Sequence, residues 1–145
     1  EEAVRWYRMA AEQGLPEGQN SMGYAYDLGL GVPQDSAQAV AWYRMAADQG
    51  YMISQSNLGS MYADGTGVPE DDAEAVRWWQ LAAEQDYAPA QRKLGNAYAW
   101  GAGVTQDPES AVTWWRRAAE QGDTDAQIAL ASAYERGEGV RLDAD

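Results

Sequence analysis

The stretch AVRWYRMAAEQG, from Ala3 to Gly14, returns as AVAWYRMAADQG from Ala39 to Gly50, changed only at Arg5/Ala41 and Glu12/Asp48. The interval of 36 residues runs through the whole chain. Trp6, Trp42, Trp78 and Trp114 keep it, as do Val32, Val68, Val104 and Val140, and Gly14, Gly50, Asp86 and Gly122. Three independent markers on one period make internal repetition the first fact about this sequence.

Each unit reads as two helices. The first lies near residues Pro16–Leu28, Met52–Asp64, Ala88–Trp100 and Thr124–Arg136. A Gly-x-Gly-Val loop follows, as in Gly29-Leu30-Gly31-Val32. The second spans Ser36–Gln49, Asp72–Gln85 and Pro108–Gln121, with a further copy at the start of the chain ending at Gln13. Gly29, Gly65, Gly101 and Gly137 stand where a left-handed residue ends a helix at low cost. Asp35, Asp71 and Asp107 can accept from the free amides of the helix that follows. Along that second helix, Ala39, Val40, Trp42, Tyr43, Ala46 and Ala47 fill an arc of about 160° at 100° per residue. One neighbour cannot cover so wide an arc. The helix therefore packs on its own partner and on the adjacent unit, with Trp42, Trp78 and Trp114 expected to be buried between units.

The predicted fold class is all-α: a right-handed superhelical α/α solenoid of helix-pair repeats, with a 36-residue period. Its units are a partial one over 1–14, full ones over 15–50, 51–86 and 87–122, and a partial one over 123–145. Because both ends fall inside a unit and the chain opens at Glu1, the expectation is a fragment of a longer array. Val4, Trp6 and the face from Leu130 to Tyr134 are expected to lack one neighbour each.

Ala90, Leu94, Gly95 and Tyr98 form Ala-x-x-x-Leu-Gly-x-x-Tyr, followed by Gly-x-Gly-Val and then Ala-x-x-Trp-aromatic-x-x-Ala-Ala. This combination resembles the Sel-one-like repeat (SLR) family, a branch of the tetratricopeptide-like helical repeats. Ordinary tetratricopeptide units are shorter, about 34 residues, and the extra length here falls in the inter-helix loop. Gly18 and Ser54 in place of Ala, Asp86 in place of Gly, and Ala131 in place of Gly are the departures. The resemblance implies non-catalytic adaptor work, including roles in protein quality control, bacterial signalling and host contact. Some members are linked to β-lactam binding, which would call for a Ser-x-x-Lys type nucleophile. Lys93 is the only lysine, and the position three before it is Ala90, so that motif is absent.

Composition narrows the chemistry further. The chain has no His and no Cys, which removes Ser-His-Asp triads, thiol nucleophiles and the common zinc sites. A net charge of −13, from 23 acidic and 10 basic residues, disfavours nucleic acid and anionic membrane surfaces. No apolar run approaches the roughly 20 residues of a membrane span. The acidic run Glu70, Asp71, Asp72 and Glu74 lacks calcium-loop spacing and reads as a solvated helix start. The repeated Gly-x-Gly loops follow no strand, so they read as helix stops rather than phosphate cradles. No enzyme activity and no cofactor are expected.

Comparing units within the chain separates two faces of the first helix. Positions equivalent to Gly18, Gln19, Met22, Gly23 and Tyr26 recur, whereas those equivalent to Glu17, Asn20, Ser21, Tyr24, Asp27 and Leu28 change. The changing face is the candidate for partner binding, lined by Tyr24, Asp27, Leu28, Asn57, Ser60, Asp64, Arg92, Asn96, Trp100, Ser132 and Arg136. Trp100 stands out as a bulky aromatic where the other units carry Leu28, Asp64 and Arg136. Two functions stay open. One is a scaffold holding a protein or peptide, with basic and apolar groups, on the concave face. The other is an assembly array that self-associates end to end through its terminal units.

Overall fold

The computed structural model describes residues 1–140. Among them are eight helices and no strand: α1 (Glu2–Glu12), α2 (Pro16–Leu28), α3 (Ser36–Asp48), α4 (Met52–Asp64), α5 (Asp72–Glu84), α6 (Ala88–Trp100), α7 (Pro108–Glu120) and α8 (Thr124–Arg136). The second helices stop one residue earlier than the sequence suggests, because Gln13, Gln49, Gln85 and Gln121 serve as C-caps. The last partial unit, expected to reach residue 145, is described to Val140; residues 141–145 lie outside the described residues.

Capping residues fix these boundaries. Gly29, Gly65, Gly101 and Gly137 end the first helices in the left-handed region, with φ between 64° and 69°. Asp35, Asp71 and Asp107 extend into the N-termini of α3, α5 and α7 and accept from Gln38, Glu74 and Ser110 amides. The Ser110 hydroxyl also donates to Asp107 at 2.6 Å. These hydrogen bonds from Ser110 hold the Asp107 carboxyl below its ordinary value of 3.8. A carboxyl depressed on folding stabilises the fold above that ordinary value, and the contribution disappears as pH falls through the folded one. The urea midpoints of the native chain and Asp107→Ala should therefore differ at pH 6 and converge below pH 3.8.

Each helix packs chiefly on its neighbours in the chain, the one-dimensional contact pattern of a solenoid. One core cluster per junction results, as where Val40, Tyr43, Leu58, Met61 and Trp78 meet. Deep burial of the three Trp residues holds only for Trp78, at 5% exposed; Trp42 and Trp114 are half-buried and Trp6 is 56% exposed. These indoles lie against the preceding unit with one edge at the rim, where a guanidinium covers some of them. Arg77 stacks over Trp78 and Arg117 over Trp114, at 5.5 and 4.8 Å. Val4, expected to lack a neighbour, is buried in a cluster with Ala11, Met22 and Ala25. Tyr134 and Ile128 on α8 are exposed.

A glutamine relay ties successive units together. Gln19, Gln55 and Gln91 are at most 4% exposed, and a buried amide needs partners. Their Nε2 atoms donate to the carbonyls of Ala11, Ala47 and Ala83, near the end of the preceding helix. Their Oε1 atoms each accept, at 2.8 Å, from Gln49, Gln85 and Gln121 at the end of the following helix. Each link thus spans three helices and adds a side-chain donor to helix-end carbonyls that also accept a backbone amide.

Candidate partner-binding face

Gly59 and Gly95 on the first helices make room for a flat ring. A Cβ at either would come within 2.6 Å of Trp79 or 2.5 Å of Trp115, so both indoles lie directly on the helix backbone. The Trp79 indole N–H donates to the Ser56 carbonyl at 3.2 Å, and that of Trp115 to Asn96 Oδ1 at 2.9 Å. These rings, and Tyr7 on α1, floor grooves at equivalent positions in three of the four helix pairs.

In the first groove, of about 370 Å³, Tyr7 is the ring and Tyr24 and Leu30 stand at the sides. A later one, of about 190 Å³, is formed by Trp79, Lys93, Asn96 and Trp100, with Asp72 at α5's start. The next, of about 290 Å³, lies between Trp100, Trp115 and Arg136. Ala25, Ala97 and Ala133 are the small residues that leave this space. Met61 takes the equivalent position in the remaining unit, where it is buried and the ring, Tyr43, is 1% exposed.

Several of the residues singled out from sequence meet here. Asn96 and Trp100 share one groove, Trp100 and Arg136 share the next, and Tyr24 lines the first. Trp100, 77% exposed, forms the ridge between two grooves. Ser60 reaches the same place by accepting from Lys93 Nζ at 2.6 Å. Others are engaged differently. Arg92 pairs with Asp123 at 3.1 Å, and Asn57 donates to Asn20 between the first helices at 3.4 Å. Asp64 and Leu28 are exposed, and Ser132 is half-buried. Asp27 is half-buried too, and burial raises its carboxyl pKa.

Lys93, Trp79 and Trp115 belong to the face although the sequence reading placed none of them there. The signal for Lys93 was present, since Ser21, Asn57, Lys93 and Ala129 differ at one variable position. Burial lowers the Lys93 pKa, the neighbouring Arg92 charge adds to the effect, and Asp64 opposes it. Of the acidic run, Asp71 caps α5 and Glu74 pairs with Arg77 at 3.2 Å. Among the described residues, no helix is long and apolar enough to cross a membrane.

The Sel1 repeat profile matches residues 1–15, 16–51, 53–87, 88–123 and 124–145. The chain belongs to the Sel1 repeat family. It is similar to a solved protective antigen of uropathogenic Escherichia coli displaying an SLR fold, at 48% identity and a TM-score of 0.93. That match covers 95% of this chain and 30% of the antigen. A Sel1 repeat protein from Oxalobacter formigenes shares 38% identity, with a TM-score of 0.87 over 98% of this chain and 61% of that one. The chain thus spans about 30% and 61% of these two relatives. Helicobacter pylori cysteine rich protein B, at 22% identity and a TM-score of 0.70, covers 89% of this chain and 92% of its own, and shows the fold alone. No curated protein matches. The fold is accordingly the right-handed helix-pair solenoid of Sel1 repeats, a family whose members are generally protein-interaction scaffolds.

Proposed function

We propose that this Sel1 array is a non-catalytic scaffold that holds a protein or peptide along the grooves of its first helices, the concave side of the superhelix. The observation that carries this reading is the recurrence of one groove at a fixed position in three of the four helix pairs, with different residues at its sides each time. Invariant packing around variable lining is what a binding surface built from repeats requires. Trp100 supplies an exposed aromatic anchor between two grooves, and such residues dominate binding energy. Basic groups on the partner suit Asp27, Asp64 and the net charge of −13.

The test is a double substitution. Asp64→Ala with Trp100→Ala should weaken binding of a cognate peptide by about 100-fold or more, the scale of two hot-spot positions. The melting temperature should stay nearly unchanged, because both side chains are exposed. Binding that survives this change but fails on altering Arg44 or Arg77 on the second helices would overturn the assignment.

The exposure of Trp6 and Ile128 favours a second reading, end-to-end stacking of units. It predicts a sedimentation coefficient that rises with concentration and a loss of that rise in Trp6→Ala/Ile128→Ser.

A further inference from the structure

The groove between Trp79 and Trp100 differs from its counterparts in one respect: it contains the chain's only lysine. The equivalent positions hold Ser21, Asn57 and Ala129. Lys93 has no carboxylate within ion-pairing distance among the described residues, and its one hydrogen bond goes to Ser60. An ammonium carries three donors, so two N–H groups are left over. Asn96 is in a similar condition. The Trp115 indole can only donate, so the atom it meets on Asn96 must be the carbonyl oxygen. The Asn96 NH₂ makes no hydrogen bond among the described residues. Two donor groups with unused hydrogens therefore line one small groove whose other walls are two indole rings, three alanines and Asp72.

Such an inventory selects a ligand rich in acceptors. A carboxylate answers both groups, and a charge-assisted contact in a half-buried site is stronger than a neutral one. Asp72 at α5's start and Asp64 near the ammonium oppose free inorganic anions, so charge alone does not hold a ligand here. The two Trp faces must contribute as well. At about 190 Å³ the groove is smaller than an ordinary small-molecule pocket and suits one apolar side chain.

We propose that this groove binds a carboxylate carried on an apolar body, with Lys93 and Asn96 as its donors and Trp79 and Trp100 as its walls. The proposal rests on reading the groove face as the binding surface, and it names the anchor that surface would take. A chain-terminal carboxylate, an acidic side chain beside an apolar one, and a free acid all present this chemistry.

Titration of the full chain with 3-phenylpropionate, followed by NMR, should move the Trp79 and Trp100 indole signals and the Asn96 side-chain amide. 3-Phenylpropanamide, the same body without the charge, should bind more weakly by about ten-fold or more, the scale of one charge-assisted hydrogen bond. Lys93→Met, which keeps the apolar stem, should erase the difference between acid and amide, and Lys93→Arg should restore part of it. Acetyl-Ala-Ala-Leu with a free terminus, its terminal amide, and acetyl-Ala-Glu-Leu amide then separate the sources. Binding by the first or third assigns the carboxylate to a peptide end or side chain, and binding by the small acid alone assigns it to a free acid. Equal affinity for acid and amide, or an acid preference that persists in Lys93→Met, would overturn the proposal. The scaffold reading would still be decided separately, by Asp64 and Trp100.

Discussion

Trp78→Ala is expected to lower stability by about 3–5 kcal/mol, the range for removing a large buried aromatic. Trp100→Ala should change it by no more than about 0.5 kcal/mol, as exposed surface substitutions do. Both are tryptophans in the same solenoid, so the contrast isolates burial. Trp78 is 5% exposed and packs among Val40, Tyr43 and Leu58, whereas Trp100 is 77% exposed. The Trp78 indole N–H is also buried without a partner. Trp78→Phe should accordingly cost less than half as much as Trp78→Ala, since it keeps ring contact and removes an unpaired donor. Urea unfolding of the three variants measures all of this at once. Equal losses for Trp78→Ala and Trp100→Ala would contradict the division into packing and binding faces.

Gly103→Ala should be comparably damaging, for a backbone reason. Gly103 sits at φ +72°, and a Cβ there would lie 2.2 Å from the Asp72 carbonyl oxygen, on the first turn of α5. The left-handed conformation costs about 1–2 kcal/mol for a residue with a Cβ. The clash with a helix backbone adds about 1–3 kcal/mol. Gly67 and Gly139 meet the Ser36 and Pro108 carbonyls in the same way, so the second loop glycine is the contact between one unit's loop and the preceding second helix. Gly122→Ala is the control. Gly122 also has positive φ, at +95°, but nothing lies within 4 Å of the added atom. Its equivalent Asp86 already carries a side chain at φ 64°. Only the conformational part should be lost there, about 1–2 kcal/mol. Similar melting temperatures for Gly103→Ala and Gly122→Ala would show that the loop contact does not hold the units together.

These glycines illustrate what a sequence read alone can supply. Their period, and the Asp caps that follow them, set helix number and boundaries to within a residue, because capping chemistry is local. Burial of the aromatic pair was harder to read. Trp42 and Tyr43 are neighbours on one helix, and which of them goes deep depends on the residues that the preceding helix sets against them. Gly23 admits the Tyr43 ring, while the outer edge of Trp42 stays at the rim. The glutamine relay was visible as recurring Gln19 and Gln49 equivalents. Its role as a hydrogen-bonded link appears only once three helices are placed side by side. The grooves lay further out of reach, since each joins a variable first-helix position to an aromatic on a second helix that sequence reasoning assigns to the core. Lys93 shows the limit most clearly: Asn96 and Trp100 follow it on α6, but its place beside Trp79 comes only from the packing of α5 on α6.

The central claim, that partners bind along the groove face, is tested most directly by mapping a bound peptide on the ¹⁵N-labelled chain. Peptides selected from a randomised display library against the intact chain serve as ligands, and their NMR footprints are recorded residue by residue. The account predicts perturbations concentrated at Tyr24, Lys93, Asn96, Trp100 and Arg136, with the Trp79 and Trp115 indole signals moving alongside. Footprints centred on Arg44, Arg77 and the outer edges of α3 and α5, with Trp100 and Asn96 unmoved, would contradict it.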